Sequence, residues 1–329
     1  MPFYAVKNTS NAASVDTDFL RTSSFVPTGY SIFRRKPCYN GDGWWVRFRC
    51  SFPMRFLLLC AVVVLCGLIL TVGCADRLAR VVIFHPRKYS HDLTGETFRK
   101  VQFQNSEKQT LRGYYFPYQK INPDEAPAGT ILYCYGNGGC TSHLLEFAEQ
   151  MRSDFRCNVL IFDYAGYGQS EGKPTAPGIL DDGLAALTYL NQKEEISTDQ
   201  IIVYGLSLGG SVAVDLAATH EVKGLIVESS FTSLGEMGRK MFPFLPAKYL
   251  LREQLSSIKK IGSVRCPVFI SHGRADKVIP FSQGQSLFEA ATEPKTFFIP
   301  PEDQDYHCAP HSPEHREALR QFIDSLLQQ

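Results

Sequence analysis

One serine in this chain of 329 residues is set apart by its neighbours. In "IIVYGLSLGGSVAVDLA" an apolar run passes into Gly205-Leu206-Ser207-Leu208-Gly209 and then into an Ala- and Val-rich stretch. G-x-S-x-G between a strand and a helix is the pattern of a nucleophile elbow. Small residues two before and two after the serine let the two backbones close on a tight turn that exposes the hydroxyl. A helix beginning at about Leu208 aims its N-terminal N–H groups at the centre where negative charge would develop. Leu208, directly after the serine, is one expected oxyanion donor, and the Gly-rich turn Gly136-Asn137-Gly138-Gly139 offers another.

A serine hydroxyl is a poor nucleophile until an imidazole takes its proton and a carboxylate orients that imidazole. Of the eight histidines, His85 and His91 precede the core strands, while His143 and His220 fall in helical stretches. His272 ends a strand beside Asp276. His307, His311 and His315 remain as bases; His315 follows the helix-start signal Ser312-Pro313 and is expected to be solvated. Two carboxylates compete as the acid. Asp276 lies just beyond "PVFISHG", 69 residues after Ser207, and Glu228 ends the strand that follows the elbow.

These groups need a scaffold, and the apolar patterning supplies one. "FRKVQF" and "TLRGYYFP" read as an antiparallel hairpin. Continuous apolar runs at 130–136, 158–164, 201–207, 223–229, 267–273 and 295–300 then alternate with helix-compatible stretches, which specifies a mostly parallel sheet covered on both faces. Leu180, Leu184, Leu187 and Leu190 predict the buried face of a helix over 177–191, and Leu319, Phe322 and Leu326 that of the last helix. Only 38 residues separate Glu228 from Pro267, which leaves room for little or no cap domain. Phe242, Phe244 and Leu245 there would form a low apolar rim.

Taken in order, "YGNGG", "DYAGYGQSEG", "GLSLG", "ESSFTS" and "HGRADKVIP" resemble the α/β-hydrolase superfamily, and within it the serine-aminopeptidase-like serine hydrolases, including membrane-anchored esterases and protein depalmitoylases. The resemblance covers residues 81–329 and implies an α/β-hydrolase catalytic domain there. It places the acid at Asp276, the base at His307, seven residues past the last strand, and the second oxyanion donor at Asn137. It also implies that Glu228 is a structural partner. Tyr135 stands where the family commonly has His, and Ala165 where it has Arg, departures that bear on substrate preference.

Before this domain lie two other segments. Residues 1–53 keep neither a 2.0 nor a 3.6 period and read as disordered and basic: residues 1–55 hold eight Lys/Arg against three Asp/Glu. Phe56 to Cys74 is a run of nineteen residues without a charge, about 28 Å long as a helix. That nearly spans a bilayer core of ~30 Å, so 56–74 reads as a transmembrane anchor or signal segment. Lys/Arg flank it four to four, which leaves the side of the membrane open. Met54 is an alternative start, and "LTVGC" then resembles a lipobox with Cys74 as the lipidated residue, although Thr71 departs from it.

The rest of the chain holds 26 Lys/Arg against 30 Asp/Glu, which lacks the basic footprint of nucleic-acid binding. The ten cysteines show no paired C-x-x-C of the zinc type, and no metal or cofactor is expected. Cys134 and Cys266 read as small buried hydrophobes, whereas Cys140, Cys157 and Cys308 could pair in an oxidising compartment. The reading is a membrane-anchored serine hydrolase of esters or thioesters, acting on lipid or acylated protein. The alternatives are an aminopeptidase-like serine peptidase and a non-catalytic binding protein of the same fold.

Overall fold

Strands β1 (Arg99–Gln104) and β2 (Thr110–Phe116) form the expected antiparallel hairpin, joined through Asn105, whose side chain accepts the N–H of Gln109. The computed structural model describes residues 83–89, 94–119, 126–241, 255–301 and 312–328, with positions 58 and 62. Among these, β3 (Thr130–Cys134), β4 (Asn158–Asp163), β5 (Ile201–Leu206), β6 (Gly224–Glu228), β7 (Val268–Ser271) and β8 (Lys295–Phe298) complete a sheet in the order β1-β2-β4-β3-β5-β6-β7-β8. From β4 to β8 every pairing is parallel, and β2 lies antiparallel on β4. Strands buried along nearly their whole length, as β3 is, must be covered on both sides.

The register shows how. Tyr133, Tyr204, Ile226 and Phe269 are lateral neighbours on one face. That row meets α1 (Leu145–Asp154) through Phe147, whose ring lies 5.3 Å from Tyr133, and α7 (Pro313–Ser325) through Phe322, 5.4 Å from Phe269. Alternation sends Gly205, Val227 and Phe297 to the other face. There α3 (Leu208–Thr219), α2 (Ala176–Lys193) and α6 (Phe281–Ala290) pack, with Phe288 stacked 5.0 Å from Phe297. Between β6 and β7 the described residues hold α4 (Leu234–Met241) and the single turn α5 (Ser257–Lys260), with no inserted domain among them. All these elements belong to one compact unit, Leu59–Gln329.

Two expectations change. In α2 the buried face is Ile179, Asp182, Gly183, Ala186, Leu187 and Leu190, while Leu184 is 39% exposed. A Cβ on Gly183 would come 2.3 Å from Val212 of α3, so the close helix contact selects small residues over the leucine stripe. Cys140 and Cys157 are separate free thiols, both buried. Residues 1–53, the rim at Phe242, Phe244 and Leu245, Cys308, and all of 56–74 except Leu58 and Val62 lie outside the described residues. Among those described, no helix is long and apolar enough to cross a membrane.

Candidate active site

Ser207 sits between β5 and α3 with φ 54° and ψ −114°, a left-handed conformation that costs a non-glycine residue about 1–3 kcal/mol and persists only when its surroundings impose it. They do. Its N–H donates to the carbonyl of Glu228 at 2.8 Å, and its own carbonyl accepts from the N–H of Gly210 at 3.0 Å and the hydroxyl of Ser230 at 2.8 Å. The flanking glycines are there for space: a Cβ at Gly209 would lie 1.9 Å from the carbonyl oxygen of Cys134, and one at Gly205 would lie 2.3 Å from that of Gly209. The side chain of Ser207 faces the turn after β3, where its Cβ lies 3.2 Å from the Cβ position of Gly136. Leu208 is the first residue of α3, one of the positions whose N–H has no intrahelical acceptor.

Asp276 is on the loop after β7, at the same edge of the sheet, and is 8% exposed. Its Oδ1 accepts the N–H groups of Val278 and Ile279, both at 2.8 Å, which fixes the carboxylate on its own loop. Buried His272 lies beneath it, with Nε2 3.0 Å from the carbonyl of Ile279 and 3.4 Å from Oδ2 of Asp276. Gly284 of α6 closes over the other ring nitrogen, which has no hydrogen-bond partner. The geometry therefore holds the tautomer that carries its proton on Nε2. His272 thus lies beside Asp276, where its place in the sequence put it, and ties into that loop through Ile279.

Asn137 follows β3 beside Gly136, and its side chain is fully engaged. Oδ1 accepts from the N–H of His85 at 2.9 Å and the hydroxyl of Tyr167 at 2.8 Å, and Nδ2 donates to the carbonyl of Ile83. Any contribution of Asn137 to an oxyanion would come from its backbone N–H. The segment Ile83–Tyr89 is thus strapped across this turn. Its hold continues through Gly168 N–H to the carbonyl of Arg87 at 2.7 Å and Lys88 Nζ to the carbonyl of Ser170 at 2.9 Å. His85, set aside in the sequence because it precedes the core strands, comes back to the site edge; no local pattern announces such a return.

His307 and His311 lie outside the described residues. His315 corrects its expectation. It is 2% exposed, with Nε2 2.9 Å from Oε1 of Glu228 and its ring stacked on Phe298 at 4.9 Å. Ser312 caps α7 and turns the third helical residue inward against β6, so the start signal was right and the inferred solvation wrong. Glu228 has a structural partner in His315, and its charge, together with burial, holds the Tyr204 hydroxyl well above its ordinary pKa, burial being the larger cause. Tyr135, where the family commonly has His, is 1% exposed and donates to Asp163 at 2.9 Å, so it faces the interior. Ala165 is likewise buried, its N–H bonded to Asp182 at 2.8 Å, and burial raises that carboxyl to about 6.

The parallel sheet, the elbow after β5 and a carboxylate loop after β7 together define a class of fold. The model of the alpha/beta hydrolase fold matches residues 129–254. The alpha/beta hydrolase domain-containing protein WAV2 of Arabidopsis thaliana is 30% identical over 258 residues, covering 72% of this chain and 82% of WAV2. This chain belongs to the α/β-hydrolase superfamily. Among solved structures, an esterase from Pyrococcus furiosus superimposes with a TM-score of 0.57 at 19% identity, over 74% of this chain and 96% of the esterase. Est1E from Butyrivibrio proteoclasticus, solved with ferulic acid bound, gives 0.58 at 19% identity, over 70% and 100%.

Proposed function

We propose that this hydrolase is a membrane-anchored serine hydrolase that cleaves carboxylic esters or thioesters through an acyl-enzyme. Ser207 attacks the acyl carbon as His307 takes its proton. The N–H groups of Leu208 and Asn137 receive the oxyanion, and the proton returns to the leaving alcohol or thiol as the tetrahedral intermediate collapses. Water then repeats the sequence and releases the acid. Asp276 steadies the imidazolium. The observation that carries this reading is the left-handed backbone of Ser207, held at the C-terminal edge of the sheet against Gly136.

The esterase name of the Pyrococcus furiosus neighbour favours esters over peptides. The apolar run 56–74, or a lipid on Cys74, is the proposed anchor. Nine residues lead from Cys74 to Ile83 and span at most ~30 Å fully extended. The strap over Asn137 would then hold the site near the bilayer, within reach of acyl chains on lipids or acylated proteins.

The test is labelling of the full chain by a fluorophosphonate, with turnover of a short acyl ester measured beside it. Wild type is expected to label and turn over, and Ser207→Ala to do neither at an unchanged thermal midpoint. A wild type that takes no label would remove the nucleophile from this account.

A further inference from the structure

A fully buried carboxyl group near the site has no part in that mechanism. Asp163 ends β4 with no exposed surface. Its Oδ1 accepts from the hydroxyl of Tyr135 at 2.9 Å and the N–H of Thr141 at 2.8 Å. Its Oδ2 accepts from the hydroxyls of Thr141 at 2.7 Å and Tyr89 at 3.3 Å. Tyr135 directly precedes residues 136–140, which include the Gly-rich turn, and Thr141 directly follows them. One carboxylate therefore grips both ends of residues 136–140.

We infer that Asp163 is a positioning residue, whose carboxylate staples the turn that carries Asn137 and fixes the aim of its backbone N–H at the reacting centre. This rests on the reading of Ser207 as nucleophile. Neighbouring contacts work to the same end: the hydroxyl of Tyr164 donates to the carbonyl of Tyr135 at 3.1 Å, and Tyr167 holds the side chain of Asn137. A buried ion adds little to stability once its desolvation is counted, whereas an oxyanion donor acts only within 2.7–3.1 Å of its target. Burial raises the pKa of Asp163 above the usual carboxylate range, and the hydroxyls and amide that surround it oppose that rise. The hold itself is geometric: Oδ1 alone accepts from both ends of the turn, and Oδ2 adds the hydroxyls of Thr141 and Tyr89.

The staple also accounts for Tyr135. A phenol reaches the carboxylate from inside the core, so the departure from the family's commoner residue alters how the turn is held and leaves the substrate-facing surface alone.

The experiment uses the full chain with Tyr135→Phe, Thr141→Val, the double variant and Asp163→Ala. It reads kcat and KM on a short acyl ester, Ki for a trifluoromethyl ketone that adds to a serine hydroxyl as an oxyanion, and the thermal midpoint. Each single removal at the ends of the turn should lower kcat by about tenfold and the double by about a hundredfold, somewhat less than outright loss of a donor. KM should stay within about twofold, while Ki for the ketone rises in step with the loss of kcat, as expected when transition-state stabilisation alone is weakened. Asp163→Ala, which also frees the Thr141 N–H, should lose at least as much as the double variant if it folds. A double variant with wild-type kcat and Ki, whatever its thermal midpoint, overturns the staple, and so does a kcat that falls without Ki. If wild type neither turns over the ester nor binds the ketone, the nucleophile reading fails, and the role assigned to Asp163 goes with it.

Discussion

The elbow after β5 and the turn after β3 face each other across a few ångströms, yet they are built by different means. The elbow is held by main chain and by the absence of side chains: Ser207 is fixed by backbone hydrogen bonds and one serine hydroxyl, and Gly205 and Gly209 leave no room for a methyl group. The turn is held almost entirely by side chains and strands from elsewhere, namely Asp163, Tyr167 and the strap at Ile83–Tyr89. A junction made by local sterics fails at a single atom. One made by many distant hydrogen bonds fails by degrees.

Three sets of variants put that contrast at risk. Gly209→Ala should be the most damaging: its methyl would sit 1.9 Å from a backbone oxygen of β3, which cannot move without parting the sheet. The expected result is loss of the folded protein, or a stability deficit of at least about 3 kcal/mol by urea denaturation, at the top of the range for overpacking. A well-folded, active Gly209→Ala would mean that the elbow yields as the turn does.

The two carboxylates give the second set. Asp276→Asn should cut kcat by about 10⁴ with a small change in thermal midpoint, because the imidazole loses its orienting charge. Glu228→Gln should do the reverse, losing about 2 kcal/mol as the charged partner of His315 is neutralised and retaining most of kcat. Swapped outcomes would move the acid to Glu228. Last and smallest, Asn137→Ala keeps the backbone N–H and drops only the side-chain grip on the strap. It should lose about 1 kcal/mol in stability, and kcat should fall less than tenfold. A dead Asn137→Ala would show that the strap, more than Asp163, holds the turn.

What was legible in the sequence follows the same division. The parallel part of the sheet could be read because β3 to β7 are nearly continuous apolar runs, and the elbow because its glycines and serine lie within five residues. The Ser312-Pro313 start of α7 was equally local. Residues that act across the fold left no such mark. The burial of His315 depends on Glu228, 87 positions away, and the return of His85 to the site edge depends on an asparagine 52 positions on. Asp163 stood in plain view at the head of "DYAGYG", but its partners Tyr135 and Thr141 become neighbours only when β3 pairs with β4. The leucines of α2 misled for a related reason: volume marks a face turned to a sheet, whereas Gly183 and Ala186 mark one turned to another helix.

The strap is also a mechanical joint. Ile83, His85, Arg87 and Lys88 are each gripped by a separate bond spread along the segment. A pull along the strap loads these bonds together, in shear, instead of opening them one after another as a zipper opens. Tension along the strap is therefore shared between Asn137 and the loop at 168–170, beside the edge of the sheet where Ser207 lies.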